Sequence, residues 1–259
     1  MKVYILTDLE GVCGVVSFET QTGPGGRYYE EAKELLTLEV NAAVEGALAG
    51  GATDVLVLDG HGAGALNIKL LHRRARAILG GPMPRDFLIS RGFDAMLVVG
   101  QHAMAGAERG NLHHTYSHLS IVRMWLNGEE IGEIGINAAI AGYYDIPMAL
   151  LTGDEAACKE ARLYNPHCEV VAVKEGISQR CAICYPPSVA REMIQAGAER
   201  ALKNLGRMVC YKPSPPYELT TEYLSIDQAE SAAGRLGVER VSPTTVRIRA
   251  NDFMELMRR

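Results

Sequence analysis

A chain of 259 residues with 47% hydrophobic composition carries enough apolar material for one large α/β domain, or for a main domain with a smaller appendage. Lys and Arg number 26 against 31 Asp and Glu, and the net charge of −5 argues against a non-specific nucleic-acid binder. No stretch reaches the ~18 apolar residues needed to span a bilayer, and the N-terminus enters a strand pattern at once, so a cytoplasmic protein without a membrane partner is expected, its six cysteines reduced.

The first apolar run, residues 3–6, reads as a buried strand and leads into Asp8 and Glu10. A glycine-rich connection over residues 11–26 follows, long enough either to cover a site or to be a surface excursion. Residues 28–48 predict a long helix with Leu35, Leu36, Val40, Ala43 and Val44 on its apolar face, ended by Gly50-Gly51. A second strand at 55–58 completes a βαβ unit, which implies parallel pairing and a right-handed crossover. It leads into Asp59 and His61. A second helix is expected over 65–78, with His72-Arg73-Arg74-Ala75-Arg76 as its solvated face, and a third strand over 96–99 leads into His102.

Residues 121–126 are strand-like and close at Asn127-Gly128, the strongest two-residue hairpin signal, so 129–131 is the returning strand. An Ala-rich helix over 133–144 and a buried strand over 147–151 come next. Thr152-Gly153-Asp154 caps a helix starting at Glu155, and 169–173 is a further short strand. Residues 186–205 predict one amphipathic helix and 213–216 a rigid linker. Strands over 217–224 and 244–248 flank a helix near 227–235. The fold class is therefore α/β: a mainly parallel open sheet with helices on both faces, plus a smaller C-terminal α+β subdomain. A boundary is expected near residue 165, giving a metal-binding α/β domain over 1–165 and the subdomain over 166–259. Cys181-Ala-Ile-Cys184 has the spacing of a redox or metal half-site, but without a second pair or a thioredoxin-like pattern it is read as incidental.

Three strands thus end in residues able to hold a cation. In an open α/β sheet, ligands bind outside the carboxyl ends of the strands, where strand order reverses. Asp8 and Glu10, two apart, face the same side of a strand. Paired carboxylates repel unless cations or protons neutralise them, and oxygen ligands suit zinc, manganese or magnesium. Asp59 either ligates directly or holds the His61 ring from behind. His113 and His114 are adjacent and open to several roles: ligand, general base or surface pair. Glu133, at a helix start, reads from spacing alone as a charge that complements the helix dipole.

The ordered set of Asp8-Leu9-Glu10-Gly11, Asp59-Gly60-His61, Gly100-Gln101-His102, His114-Thr115, Asn127-Gly128 and Gly132-Glu133-Ile134-Gly135-Ile136-Asn137-Ala138 resembles the zinc-dependent D-aminopeptidases. The resemblance runs from the first residue through Gly153-Asp154 and continues more faintly to the C-terminus. It implies a two-zinc site built from Asp8, Glu10, His61, His102 and Glu133, with Asp8 bridging, and makes His114 the catalytic histidine. His114 rather than His113 is chosen because Thr115 supplies the family's small hydroxyl neighbour. The resemblance also implies removal of N-terminal residues, D-amino acids among them, from short peptides, and a homo-oligomer in the form of a decameric ring. Manganese or cobalt would suit the same donors. Two other readings stand beside it: a dinuclear hydrolase acting on another amide or a phosphoester, and a non-catalytic oligomeric binding protein. Gly23-Pro24-Gly25-Gly26-Arg27 is the one candidate phosphate cradle and matches no Walker pattern.

Overall fold

The computed structural model describes residues 1–258. In chain order, the first part runs β1 (Lys2–Thr7), α1 (Phe18–Gln21), α2 (Tyr29–Ala49), β2 (Asp54–Leu58), β3 (Ala75–Ile78) and β4 (Ala95–Gln101). Then come β5 (Ile121–Leu126), β6 (Glu129–Glu130), α3 (Glu133–Tyr143), β7 (Met148–Asp154), α4 (Glu155–Tyr164), β8 (Glu169–Ser178) and β9 (Cys181–Cys184). The last part holds α5 (Pro187–Lys203), β10 (Tyr217–Tyr223), α6 (Ile226–Ala233), β11 (Val238–Arg240), β12 (Thr245–Ala250) and α7 (Phe253–Leu256).

Among the described residues, two sheets form. The larger has the order β3-β2-β1-β4-β7-β8-β9, parallel throughout except for the antiparallel edge strand β9. Strands β4 and β7 are buried along their whole length, as continuous apolar runs between two helical layers should be. One face packs on α2 and α5, where Leu36, Val40, Val44, Ile194 and Leu202 meet Val3, Ile5, Leu97 and Val171. The other face packs on α3 and α4, with Ile136, Ile140 and Ala161 against Tyr4, Met96 and Met148. Local chemistry starts and stops these helices: the Asp154 side chain accepts from Ala157 N at the head of α4, and Arg200 and Lys203 occupy the last turn of α5.

The smaller sheet is antiparallel, in the order β11-β12-β10-β5-β6. Its β5–β6 hairpin turns at Asn127 and Gly128, both with positive φ (54° and 88°), as the Asn-Gly pair predicts. Residue 165 lies in the connection between α4 and β8. Elements from both sides of it enter each layer: β8, β9 and α5 complete the larger sheet and its cover, while β5 and β6 join β10–β12 in the smaller one.

One expected helix is absent among the described residues. Residues 67–74 are turns, and 75–78 form β3 at the sheet edge. The backbone groups that a helix would satisfy internally are taken instead by side chains. Asn67 N donates to Thr37 Oγ1, His72 N to Asn41 Oδ1, and Asn41 Nδ2 to Leu70 O. Arg76 forks onto both Asp54 carboxylate oxygens at 2.9 and 2.8 Å, so the basic run is a strand-edge feature rather than a helix face.

Candidate metal centre

Strand β1 sits at the point where strand order reverses, with β2 on one side and β4 on the other. The chain leaves β1 at Thr7, so Asp8 and Glu10 lie on a tight turn beyond the strand rather than within it. That turn is bolted to β4: Asp8 N donates to Val99 O and Gly11 N to Gly100 O, at 2.9 and 2.7 Å. Gly100 has φ +77° and its α-carbon faces Asp8 O so closely that a β-carbon would collide with it. From the β8 side, the ammonium of Lys174, itself fully buried, donates to Glu10 O and Val15 O, each at 2.6 Å.

The carboxylates and imidazoles then meet. His61 Nδ1 lies 3.2 Å from Asp8 Oδ1 and 3.3 Å from Glu10 Oε2. His102 Nε2 lies 3.2 Å from Asp8 Oδ2 and 3.4 Å from Glu133 Oε1. Asp8 therefore stands between two histidines and joins two groups. In one, donor atoms of Asp8, Glu10 and His61 lie within 4.8 Å of one another; in the other, those of His102, His114 and Glu133 do. Each ring is oriented through its far nitrogen. His61 Nε2 contacts Thr22 O at 2.8 Å, His102 Nδ1 contacts Ala103 O at 2.9 Å, and His114 Nδ1 contacts Leu112 O at 2.9 Å. A carbonyl accepts only from N–H, so the opposite nitrogen of each ring carries a lone pair toward the centre when the ring is neutral.

The donor set fits a cation on its own chemistry. Glu10 Oε2 and His102 Nε2 are buried and make no well-formed hydrogen bond among the described residues, although such groups normally find a partner. Burial raises the Asp8 carboxyl, but the closeness of His102 and His61 outweighs it and holds Asp8 well below the usual range. Burial and then the Asp8 charge push Glu10 up. Burial would depress His61, yet its contacts with Asp8 and Glu10 lift it to about 11. His102 is lifted likewise, by Glu133 and Asp8 against burial. His114 goes the other way: burial, reinforced by the neighbouring His102 charge, lowers it to about 3.

The six residues that the resemblance implied, Asp8, Glu10, His61, His102, His114 and Glu133, thus converge. His114 stacks on His102 with ring centroids 3.8 Å apart, and Phe18 meets its edge at 5.4 Å. Glu133, which spacing alone assigned to a helix dipole, turns into the site, where Tyr116 N donates to its Oε1 at 2.6 Å. His113 does not enter the centre; its Nδ1 accepts from Gly106 N at 3.1 Å. Asp59 lies outside both donor groups and makes no hydrogen bond to His61. It accepts from Ala65 N and Leu66 N at 2.8 and 3.2 Å and shapes the loop that replaces the expected helix. The glycine-rich connection covers the centre: Thr22 O meets His61, and Phe18 stacks on His118 at 3.9 Å.

Three supporting residues went unread in the sequence. Gln101 Nε2 donates to Asp8 Oδ2 at 2.9 Å, Glu160 accepts from Met104 N at 2.7 Å, and Lys174 pins the Glu10 carbonyl. Lys174 carried a signal, a lysine inside an apolar strand. Gln101 and Glu160 sit in patterns that any surface residue could occupy.

Comparison with known proteins identifies the family. The profile of the D-aminopeptidase family matches residues 1–259. A D-aminopeptidase of Bacillus subtilis (strain 168) is 33% identical over 259 residues, covering 98% of this chain and 93% of that protein. The solved structure of the Zn-dependent D-aminopeptidase DppA from Bacillus subtilis, described as a self-compartmentalizing protease, superposes with a TM-score of 0.92 at 31% identity, over 100% of this chain and 94% of that one.

Proposed function

Because this chain belongs to the D-aminopeptidase family of peptide hydrolases, we propose that it removes N-terminal residues, D-amino acids preferred, from short peptides at a dinuclear zinc site. One ion would be held by Asp8, Glu10 and His61, the other by Asp8, His102 and Glu133, with Asp8 as the bridge. The observation that carries this reading is the pair of donor groups linked by Asp8, whose two oxygens face His61 and His102 separately, with Glu10 Oε2 and His102 Nε2 buried and without a well-formed hydrogen bond. Manganese or cobalt would suit the same oxygen and imidazole donors.

Zinc bound there supplies Lewis-acid polarisation of the scissile carbonyl and lowers the pKa of water from about 16 toward ~7. The chain supplies the rest. His114, with Nδ1–H committed to Leu112 O, offers Nε2 to take a proton from the attacking water and return it to the leaving amine. Phe18 and His102 confine that ring on two sides. The covering segment, through Thr22 O, fixes His61 and excludes bulk water from one wall.

A specific observation favours a second role for His114. Its nitrogen lies within 4.8 Å of donors on His102 and Glu133, so it can serve as a ligand of the second ion instead. Zinc content of His114→Ala separates the two: both ions retained for a catalytic histidine, the second lost for a ligand.

Assembly follows the same reading. We infer a homo-oligomer, a decameric ring in its full form. Leu119, Leu224 and Ile226 support it as an exposed apolar group, tied together by Leu224 N to Ser120 O and Gln228 Nε2 to Leu119 O. A cytoplasmic location suits the six free cysteines. The experiment that tests the reaction is a panel of D- and L-aminoacyl nitroanilides and nitrophenyl phosphate, run on the zinc-loaded protein. Hydrolysis of the D-aminoacyl anilides is expected; turnover of phosphate ester alone would overturn the peptidase reading, and zinc without any turnover would support a binding protein.

A further inference from the structure

Under the loop that carries Asp8 and Glu10 lies a second group of chemistry-bearing side chains that the proposed reaction does not use. Cys13 is 1% exposed and three residues beyond Glu10; its Sγ donates to Tyr185 O at 2.8 Å. Cys184, the last residue of β9, immediately precedes Tyr185 and packs against the same core cluster as Cys13, so the 2.8 Å contact of Cys13 Sγ brings the two cysteines together. Lys174 and Glu39 complete the group: Glu39 Oε1 accepts from Cys13 N at 2.9 Å, and Lys174 lines a cleft of about 130 Å³ together with Cys184 and Tyr185.

The sequence pairs Cys184 with Cys181, but the strand separates them. Residues three apart on a strand point to opposite faces, and Cys181 is exposed while Cys184 is half-buried beside Cys13. The thiol that meets Cys184 is thus remote in sequence. Cys184 is also the more acidic partner. The closeness of Cys13, with the Gly14 N–H and the Lys174 charge, outweighs burial and lowers it to about 6, which favours the thiolate form at neutral pH. The same contact, with burial, raises Cys13, which suits a resolving thiol.

We propose that Cys13 and Cys184 form a reversible oxidation site, where hydrogen peroxide converts the thiol pair into a disulfide that ties the Asp8–Glu10 loop to β9 and lowers peptidase activity. The Cys184 thiolate attacks one peroxide oxygen; the O–O bond breaks, hydroxide leaves and takes up a proton as water, and Cys184 becomes a sulfenic acid. The Cys13 thiol then loses its proton and attacks the Cys184 sulfur; the S–O bond breaks and a second water leaves. Two thiols give up two electrons and two protons, and one peroxide is reduced to two waters. The bond draws the sulfurs to about 2.05 Å and removes the Cys13 S–H donated to Tyr185 O, so the turn carrying Glu10 must shift against its Lys174 anchor. The effect on activity rests on Glu10 serving as a zinc ligand; the cross-link does not.

The test uses full-length, zinc-loaded enzyme carrying Cys181→Ser, which removes the competing thiol from the same tryptic peptide. After peroxide treatment and alkylation, a linked pair of peptides spanning residues 3–27 and 181–191 is expected. Activity should fall by about 10-fold or more, because ångström-scale displacement of a catalytic centre costs up to ~100-fold, and dithiothreitol should restore it. With Cys13→Ser, peroxide should drive Cys184 to sulfinic acid and the loss should become irreversible. Peroxide oxidation of Cys184 without the linked peptide, or the linked peptide with unchanged activity, would overturn the proposal. Failure of the zinc reading looks different: the enzyme as loaded shows no metal-dependent activity, while the peptide masses still report the link.

Discussion

Asp8 is the residue on which the centre turns. Its two oxygens face His61 and His102 separately, at 3.2 Å each, while Leu9 N and Gln101 Nε2 hold the carboxylate from behind. Asp8→Asn should therefore strip both ions, measured by elemental analysis of the purified protein; retention of one zinc would show that Asp8 serves a single ion. His114→Ala should keep both and depress turnover by at least ~100-fold, the lower range for general acid–base assistance. A different kind of test belongs to Glu39, buried beneath the same loop. Burial lifts its carboxyl from the ordinary 4.5 to about 7. The folded chain then holds the proton more tightly than the unfolded one, so the support Glu39 gives the fold is complete below pH 4.5 and fades as pH rises through 7. Glu39→Gln keeps an acceptor for Cys13 N–H and removes the titration. Its stability relative to wild type, from denaturant titrations, should climb between pH 4.5 and 8 by up to about 3 kcal/mol; a difference that does not change with pH would show that Glu39 stays ionised in the fold.

The elements show where sequence patterns decide structure and where they do not. Helix α2 announces itself through its apolar spacing and its glycine stop, and what it packs against is α5, some 150 positions on. Gly46 sits at that crossing. A β-carbon there would strike Gln195 O of α5 and come within 2.8 Å of the Ala198 β-carbon. Gly46→Ala should raise helix propensity locally yet destabilise the protein by about 1–3 kcal/mol through overpacking, read as a lowered thermal midpoint with zinc-loaded activity at 25 °C retained. The segment after β2 shows the converse. Residues 65–78 carry a plausible helical composition, but Asp59, Thr37 and Asn41 engage their backbone groups first. Thr37 and Asn41 lie on α2, so local pattern could not show the competition.

At the scale of the whole molecule, the buried carboxylates of the centre tie stability to metal. Ligand binding to the native state alone raises the unfolding free energy in proportion to RT ln(1 + [L]/Kd), so chelation should lower the thermal midpoint by several degrees, and zinc should restore it. An unchanged midpoint after verified zinc removal would mean that no ion contributes to the fold. The oligomer has its own check. Native mass spectrometry should give a multiple of the 28.1 kDa subunit, tenfold for the full ring; charging the apolar group with Leu119→Glu and Ile226→Glu should reduce it, and a monomer in the wild type would remove the ring.

Sequence by itself determined the central strands β1, β2, β4, β7 and β8, because continuous β-branched and aliphatic runs bounded by turns have few other uses, though it missed the edge strands β3, β9 and β11. It determined the crossover order, and hence that Asp8, His61 and His102 emerge at one edge of a parallel sheet. The ordered motifs added Glu133 and His114, which spacing had left as a helix-start charge and an ambiguous loop histidine. Only the tertiary structure decided that Glu133 turns inward onto His102, that Asp59 serves a loop, that Lys174 anchors the Glu10 backbone carbonyl and that Gln101 holds the Asp8 carboxylate. The reason is physical. Strand and helix patterns follow from interactions within a few residues, whereas the direction of a polar side chain is set by whichever donor or acceptor the rest of the chain brings within 3 Å of it.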